Sequence, residues 1–257
     1  MNNEELKKIN YSLIDTFLKA GQRCLEIRNA GLKKQIKSDN TPVTNGDIEV
    51  NDLLTDKIKK LTPGIPIVSE ESSENKTNSD LKKFWLIDPI DGTHDYINDK
   101  DEFTLNAALI IDKKPKLGII YAPAKKRLFY SYGLGLSFEL FKNEEIKITC
   151  KKKTKENQVK AVTYSDKIKP LISECHKKFG VTDYIKMKSS LKFCVIATGE
   201  FDLYVAEPRA CEWDIAAGHA ILENAGGIVT DFDNKDIFYG KKDFKNPSLI
   251  VKRSKDL

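Results

Sequence analysis

A nine-residue segment, Trp85-Leu86-Ile87-Asp88-Pro89-Ile90-Asp91-Gly92-Thr93, constrains this chain more than any other stretch. Its apolar run reads as a strand that delivers two carboxylates, three residues apart, onto a Pro/Gly turn with a hydroxyl behind them. Hard divalent cations such as Mg²⁺ take oxygen ligands in a stiff arrangement, and a strand-end turn supplies one. Asp88 and Asp91 would bracket one or two metals, with the Ile90 carbonyl in the same turn. Gly92 lets backbone approach a ligand closely. A helix opening after Thr93 would add free N–H groups as a phosphate seat. Asp-Pro and Asp-Gly are also ordinary turn dipeptides, and Asp91 alone could be a helix cap.

Three further acidic positions sit at element ends. Ser69-Glu70-Glu71 follows the apolar run Ile65 to Val68; Asp47 opens a helical stretch; Asp214 opens another beside Trp213. Each has an ordinary explanation as surface charge, cap or dipole partner. Together with Asp88 and Asp91 they form a set of oxygen donors.

The surrounding pattern divides the chain in two. Apolar residues at helical spacing from Leu6 to Leu25 predict a long helix closing near Gly31, and a second runs from about Thr44 to Leu61. Ser38 to Pro42 is a turn cluster. Strands follow at 65–68, 84–87, 105–111, 117–121, 128–131 and 137–141, close enough in sequence for an antiparallel sheet. The lysine-rich run Lys151 to Lys155 marks a lobe boundary. Beyond it come a strand at 161–164, helices at 167–179 and 190–198, a strand at 203–206, a helix at 213–224 and a strand at 228–230. The expected architecture is an α+β lobe over residues 1–150, carrying most of the acidic set, and an α/β lobe over 151–257, carrying Asp214.

Composition removes other classes. The 257 residues carry 43 Lys plus Arg against 38 Asp plus Glu, a net charge of +5 that is dispersed and too small for a dedicated nucleic-acid binder. No apolar run approaches the roughly 20 residues that cross a bilayer, and the first eight residues lack the apolar core of a signal peptide. The alternative to a solvated loop for Lys151 to Lys155 is weak attraction to anionic lipid, a peripheral attachment at the cytoplasmic side of the inner membrane. Five scattered cysteines, with no C-x-x-C pair, fit reduced thiols and a cytoplasmic protein. Asp231 to Asp236 lacks the Gly and the bidentate Glu of a calcium loop and reads as a turn. His219 reads as packed inside its helix.

Asp88-Pro89-Ile90-Asp91-Gly92-Thr93 with Trp213-Asp214-Ile215-Ala216-Ala217-Gly218 resembles the signature pair of the inositol monophosphatase-like superfamily, Mg²⁺-dependent and lithium-sensitive phosphomonoesterases. Thr41 to Thr44 before Asp47, Ser69-Glu70-Glu71 and Gly118 to Pro123 extend the likeness. Ser189-Ser190-Leu191-Lys192-Phe193-Cys194 with Ala217 to Ala220 resembles its bacterial 3′(2′),5′-bisphosphate nucleotidase branch. The resemblance implies a two-lobed, layered αβαβα sugar-phosphatase fold, with an antiparallel sheet in the first lobe and a mixed sheet in the second. It implies two to three Mg²⁺ ions held by Glu70, Asp88, the Ile90 carbonyl, Asp91 and Asp214. Asp47 and Thr93, with Glu70, would position and deprotonate the attacking water, and the Gly92 and Thr93 amides would seat the scissile phosphate. Substrate contacts would come from Glu70, Ile90, Asp91, Gly92, Thr93, Ser189, Ser190, Lys192 and Asp214.

The implied reaction removes the 3′-phosphate of 3′-phosphoadenosine 5′-phosphate (PAP), giving AMP and phosphate, in recycling linked to sulfate assimilation. The alternative is an inositol monophosphatase or related sugar-phosphate phosphatase. A small phosphomonoester is the expected partner, for a monomer or homodimer. The chain departs from the branch at His94-Asp95-Tyr96, at Lys188 and at Pro208-Arg209-Ala210. Lys188 and Arg209 read either as cations for a second phosphate or as surface charges.

Overall fold

The computed structural model describes residues 1–37, 41–72, 74–76, 81–150 and 158–257. Residues 38–40 of the expected turn cluster and the Lys151 to Lys155 run lie outside the described residues. In chain order the elements are α1 (Asn3–Ala30), β1 (Lys34–Ile36), β2 (Pro42–Thr44), α2 (Asn45–Leu61), β3 (Ile67–Ser69), β4 (Lys83–Asp91), α3 (Thr93–Ile97), β5 (Thr104–Ile111), β6 (Lys114–Ala122), β7 (Arg127–Ser131), β8 (Ser137–Phe141) and β9 (Glu144–Ile148). They continue with β10 (Val159–Thr163), α4 (Pro170–Lys178), β11 (Val181–Lys186), α5 (Leu191–Ala197), β12 (Leu203–Ala206), α6 (Glu212–Asn224), β13 (Ile228–Thr230) and β14 (Leu249–Lys252).

Helix α1 starts where Asn2 accepts from the Glu5 amide and Glu5 reaches back, and it stops at Gly31, whose φ of 107° no ordinary side chain adopts. Its buried face, Leu6, Ile9, Leu13, Phe17 and Cys24, joins Val50, Leu54 and Ile58 of α2 against one side of a seven-stranded sheet ordered β3-β4-β5-β6-β7-β8-β9. The pleat of β4 divides its side chains: Trp85 and Ile87 face this helix pair, while Phe84 and Leu86 face the other way. On that second side lie α5 and α6, whose Phe193, Ile196, Ile215 and Ile221 share a core with Val162, Tyr204 and Val251 of a five-stranded sheet. That sheet is ordered β11-β10-β12-β14-β13. Its far side, Ala161, Leu203, Val205 and Ile250, packs on Ile172 and Cys175 of α4. Helix, sheet, helix, sheet, helix is the layered αβαβα order expected.

Several details differ from expectation. The first sheet is not wholly antiparallel, because β3 runs parallel to β4. The second sheet, by contrast, is mixed as expected, with β10 parallel to β11 and β12 and with β14 antiparallel to β12. Asp88 to Asp91 is not a turn beyond the strand; β4 runs through it. The helix expected from Lys167 starts at Pro170, a residue that needs no N–H partner at a first turn. No helix of the described residues is long and apolar enough to cross a membrane.

Helix α6 reaches the sheet closely because β6 presents Gly118 to it. A Cβ there would sit 2.4 Å from the Ala217 carbonyl oxygen and 2.9 Å from the Ala220 Cβ. Gly118→Ala must therefore push α6, and Asp214 with it, away from β4. We expect a loss of about 1–3 kcal/mol, the usual cost of overpacking a core, read from urea unfolding. Unchanged stability would show that the close approach is not needed.

Candidate active site

Strand β4 carries the first two site carboxylates, and a bulge brings them together. Asp88 pairs with Asn106 on β5, yet Asp91 pairs with Thr104, so three steps on β4 match two on β5. The extra residue reverses the alternation of side chains. Asp91 consequently leaves the sheet on the same face as Asp88, the face that α6 covers. Helix α6 begins there: Asp214, in its first turn, accepts from the Cys211 amide at 2.7 Å. Glu70 arrives from the end of β3, its amide held by the Ile87 carbonyl at 3.0 Å.

One carboxylate oxygen each from Glu70, Asp88 and Asp214 lie within 4.8 Å of one another. Such proximity of like charges is unfavourable unless protons or cations intervene. Burial, then the Glu70, Asp91 and Asp214 carboxylates, pushes the Asp88 pKa well above its ordinary value. Asp214 is raised to about 8 by burial and by Asp91 and Glu70. Asp91 is raised to about 6, chiefly by burial, with the Lys192 ammonium and the Ser190 amide opposing. Asp88 is 1% exposed, and both of its carboxylate oxygens lack a hydrogen-bond partner among the described residues. An all-oxygen set with an orphaned buried carboxylate fits a hard divalent cation such as Mg²⁺, Mn²⁺ or Ca²⁺.

Asp47 sits behind this cluster. Its Oδ2 accepts from the Thr44 amide at 2.8 Å and the Thr44 hydroxyl at 2.6 Å, the capping box of α2. Its Oδ1 remains for the Thr93 hydroxyl, 3.3 Å away, which also reaches the Ile90 carbonyl at 2.9 Å. Burial raises the Asp47 pKa. Gly92, with φ 92°, caps the short α3 and turns the chain so that Thr93 faces the cleft; a Cβ on Gly92 would sit 2.7 Å from the Glu102 carbonyl.

The cleft has a volume of about 610 Å³ and is lined by Glu70, Asp88, Ile90, Asp91, Gly92, Thr93, Lys192 and Asp214 among others. Ser189 and Ser190 do not line it. Both are fully buried, with the Ser189 hydroxyl donating to Glu102 and the Ser190 hydroxyl held between Thr104 and Asn106. The contribution of Ser190 is its amide, which donates to Asp91. Lys192 is buried and donates to the Lys188 and Ser189 carbonyls at 3.0 and 2.6 Å. Lys188 is bound to Asp95 at 3.0 Å, and His94 stands 3.4 Å from the same carboxylate. His219 is packed, its Nδ1 2.8 Å from the Tyr239 hydroxyl. Asp231 ties its own turn by accepting from the Asp233 and Lys235 amides.

Three residues near the site have no local sequence signal. Lys37 places its ammonium 3.2 Å from Glu70 and 2.7 Å from Glu71. Lys76 donates to the Glu70 carbonyl and lies over the Trp213 ring. Glu212, fully buried, accepts from the Gly240 and Lys241 amides and pairs with the Lys241 ammonium, anchoring the first turn of α6. Only the general preference for an acidic residue in the first turn of a helix could have hinted at the last, which opens α6.

The model of the inositol monophosphatase family matches residues 2–257, and the chain belongs to that family. Among its relatives, the 3′(2′),5′-bisphosphate nucleotidase CysQ of Salmonella typhimurium is 35% identical over 228 residues, 84% of this chain and 87% of the relative. The same-named protein of Haemophilus influenzae is 30% identical over 261 residues, 97% and 93% of the two chains. The crystal structure of CysQ from Bacteroides thetaiotaomicron, a bacterial member of the family, superposes with a TM-score of 0.78 at 30% identity, covering 94% of this chain and 96% of that one.

The raised carboxylate pKa values predict a pH dependence. A carboxyl whose pKa is higher in the folded than in the unfolded state stabilises the fold at low pH, and that contribution is lost as pH rises. For Asp214 the loss begins above an unfolded value of about 4 and is complete above about 8. In EDTA the melting temperature should therefore fall from pH 5 to pH 8, and Mg²⁺ should remove most of the fall. Asp214→Asn should flatten it. A melting temperature that rises over this range in EDTA would contradict the assignment.

Proposed function

We propose that this chain is a Mg²⁺-dependent 3′(2′),5′-bisphosphate nucleotidase, releasing phosphate and AMP from PAP by attack of water. The observation that carries the chemistry is the Glu70–Asp88–Asp214 group with an unpartnered, buried Asp88. The substrate class is supported by relatives of that name at 30–35% identity over most of the chain. Residues 1–150 supply most of the metal ligands; residues 151–257 supply Asp214 and contacts to the rest of the substrate.

On this reading Glu70, Asp88, the Ile90 carbonyl, Asp91 and Asp214 hold two to three Mg²⁺ ions. When bound, the ions neutralise the phosphate, lower the pKa of water and stabilise the leaving oxygen. Thr93 faces the cleft and its hydroxyl is the first protein acceptor for the water; Asp47 Oδ1 behind it takes the hydroxyl hydrogen, so the proton moves one step inward. Glu70 orients the same water. The Gly92 and Thr93 amides at the start of α3 seat the phosphate oxygens. The water oxygen bonds to phosphorus as the bond to the ribose 3′-oxygen breaks, and the alkoxide is protonated from solvent. Ser190 holds Asp91 in place through its amide, and Lys192 brings positive charge to Asp91 and Asp214 without leaving its carbonyl partners. Free thiols at all five cysteines support a reducing, cytoplasmic setting as part of the same reading.

Asp91→Asn should lower turnover by at least about two orders of magnitude, the scale of losing one charge-stabilising group, with an unchanged circular dichroism spectrum. Retained turnover would remove Asp91 from the metal site. Phosphate release should be compared for PAP, inositol 1-phosphate, fructose 1,6-bisphosphate and NADP in Mg²⁺. PAP should lead, and added Li⁺ should inhibit. Activity confined to inositol 1-phosphate would replace this reading with an inositol monophosphatase.

A further inference from the structure

Among the described residues, five lysine and arginine side chains line the cleft, and four of them are engaged. Lys37 pairs with Glu70 and Glu71, Lys188 with Asp95, Lys192 is buried against backbone carbonyls, and Lys76 holds the Glu70 carbonyl. Arg209 differs. It is exposed, it has no carboxylate partner among the described residues, and its guanidinium carbon lies 3.3 Å from the centroid of the Tyr164 ring. A guanidinium laid flat on a ring is fixed in orientation while its N–H groups, which lie in its own plane, stay available. That is the geometry for bidentate capture of a phosphate.

The position of the pair favours a substrate contact over a surface ornament. Tyr164 follows β10 and Arg209 follows β12, two neighbouring parallel strands. The chain leaves β10 for β11 on one side and returns to β12 on the other, so the crevice beyond their carboxyl ends lies where connections diverge, the usual ligand position in such sheets. A second cavity of about 340 Å³ opens there, floored by Ile168, Ile172 and Val205, and Tyr164 and Arg209 line both it and the cleft.

We propose that Arg209, braced on Tyr164, is the specificity-determining residue that takes the second phosphate of a bisphosphorylated substrate, the one that is not hydrolysed. This rests on the nucleotidase reading above and names the residue that gives it its preference. Lys188, the other candidate in the sequence, is already neutralised by Asp95.

The test compares PAP with adenosine 3′-monophosphate, which has the same base, ribose and scissile phosphate but lacks the second one. Wild-type protein should favour PAP in kcat/KM by about ten- to a hundredfold, the range for a lost charge-assisted contact. Arg209→Ala should abolish that preference through KM for PAP, with adenosine 3′-monophosphate hydrolysed as before. Arg209→Lys should recover part of it, because charge returns without the fork or the stack. A preference retained in Arg209→Ala, or an equal loss on both substrates, would overturn the proposal. So would wild-type protein that hydrolyses both substrates equally, a result that leaves the nucleotidase reading standing. Wild-type protein that hydrolyses neither and accepts inositol 1-phosphate would overturn both.

Discussion

Crowding of like charge at the end of β4 is the constraint on which the rest of this structure depends. Two carboxylates about 4–5 Å apart repel by about 1 kcal/mol in water and about 3–4 kcal/mol at the effective dielectric of a protein surface. Here oxygens of Glu70, Asp88 and Asp214 share a 4.8 Å neighbourhood, and Asp88 is almost wholly buried. The fold supplies partial compensation: an amide from Cys211 to Asp214, an amide from Ser190 to Asp91, and the ammonium of Lys37 beside Glu70. Asp88 receives nothing of the kind among the described residues. A divalent cation is what makes such a site favourable, and a bound cation turns a locally repulsive cleft into a trap for phosphate.

The layers exist in a form that makes this crowding possible. The bulge between Asp88 and Asp91 puts both side chains on one face of the sheet, and Gly118 lets α6 descend on that face far enough for Asp214 to join them. Glu212 then fastens the first turn of α6 to the 240–241 backbone. Because α6 is the middle layer, packed against both sheets, the same helix that completes the acidic group also faces the crevice where Tyr164 and Arg209 stand. The mild excess of 43 basic over 38 acidic residues is thus divided between a concentrated acidic centre and a rim of lysine and arginine, an arrangement suited to capture of a small polyanion.

Much of this was legible in the sequence. Helices α1 and α2 announce themselves by spacing and caps, and β12 and β13 lie where short apolar runs end in turn residues. The five carboxylates stood out because each sits at the end of such an element. What stayed hidden depends on contacts distant in sequence. Strand β11 is exposed along most of its length as the edge of its sheet, so it has no apolar alternation to read. Strand β14 is four residues long and is defined by neighbours on both sides. The bulge looked like a turn because Asp-Pro and Asp-Gly are turn dipeptides, and only pairing with β5 distinguishes the two. Ser189 and Ser190 carried the right letters for a substrate contact, but their hydroxyls point inward to Glu102, Thr104 and Asn106. Nothing local separates Lys188 from Arg209; Asp95, ninety-three residues before Lys188, does.

The most direct test of the central claim is anomalous scattering from crystals grown with Mn²⁺ in place of Mg²⁺. The account predicts at least one strong peak within about 2.0–2.3 Å of carboxylate oxygens of Asp88 and its neighbours Glu70, Asp91 or Asp214. A cleft without an anomalous peak at saturating Mn²⁺, with Asp88 still unpartnered, would contradict it.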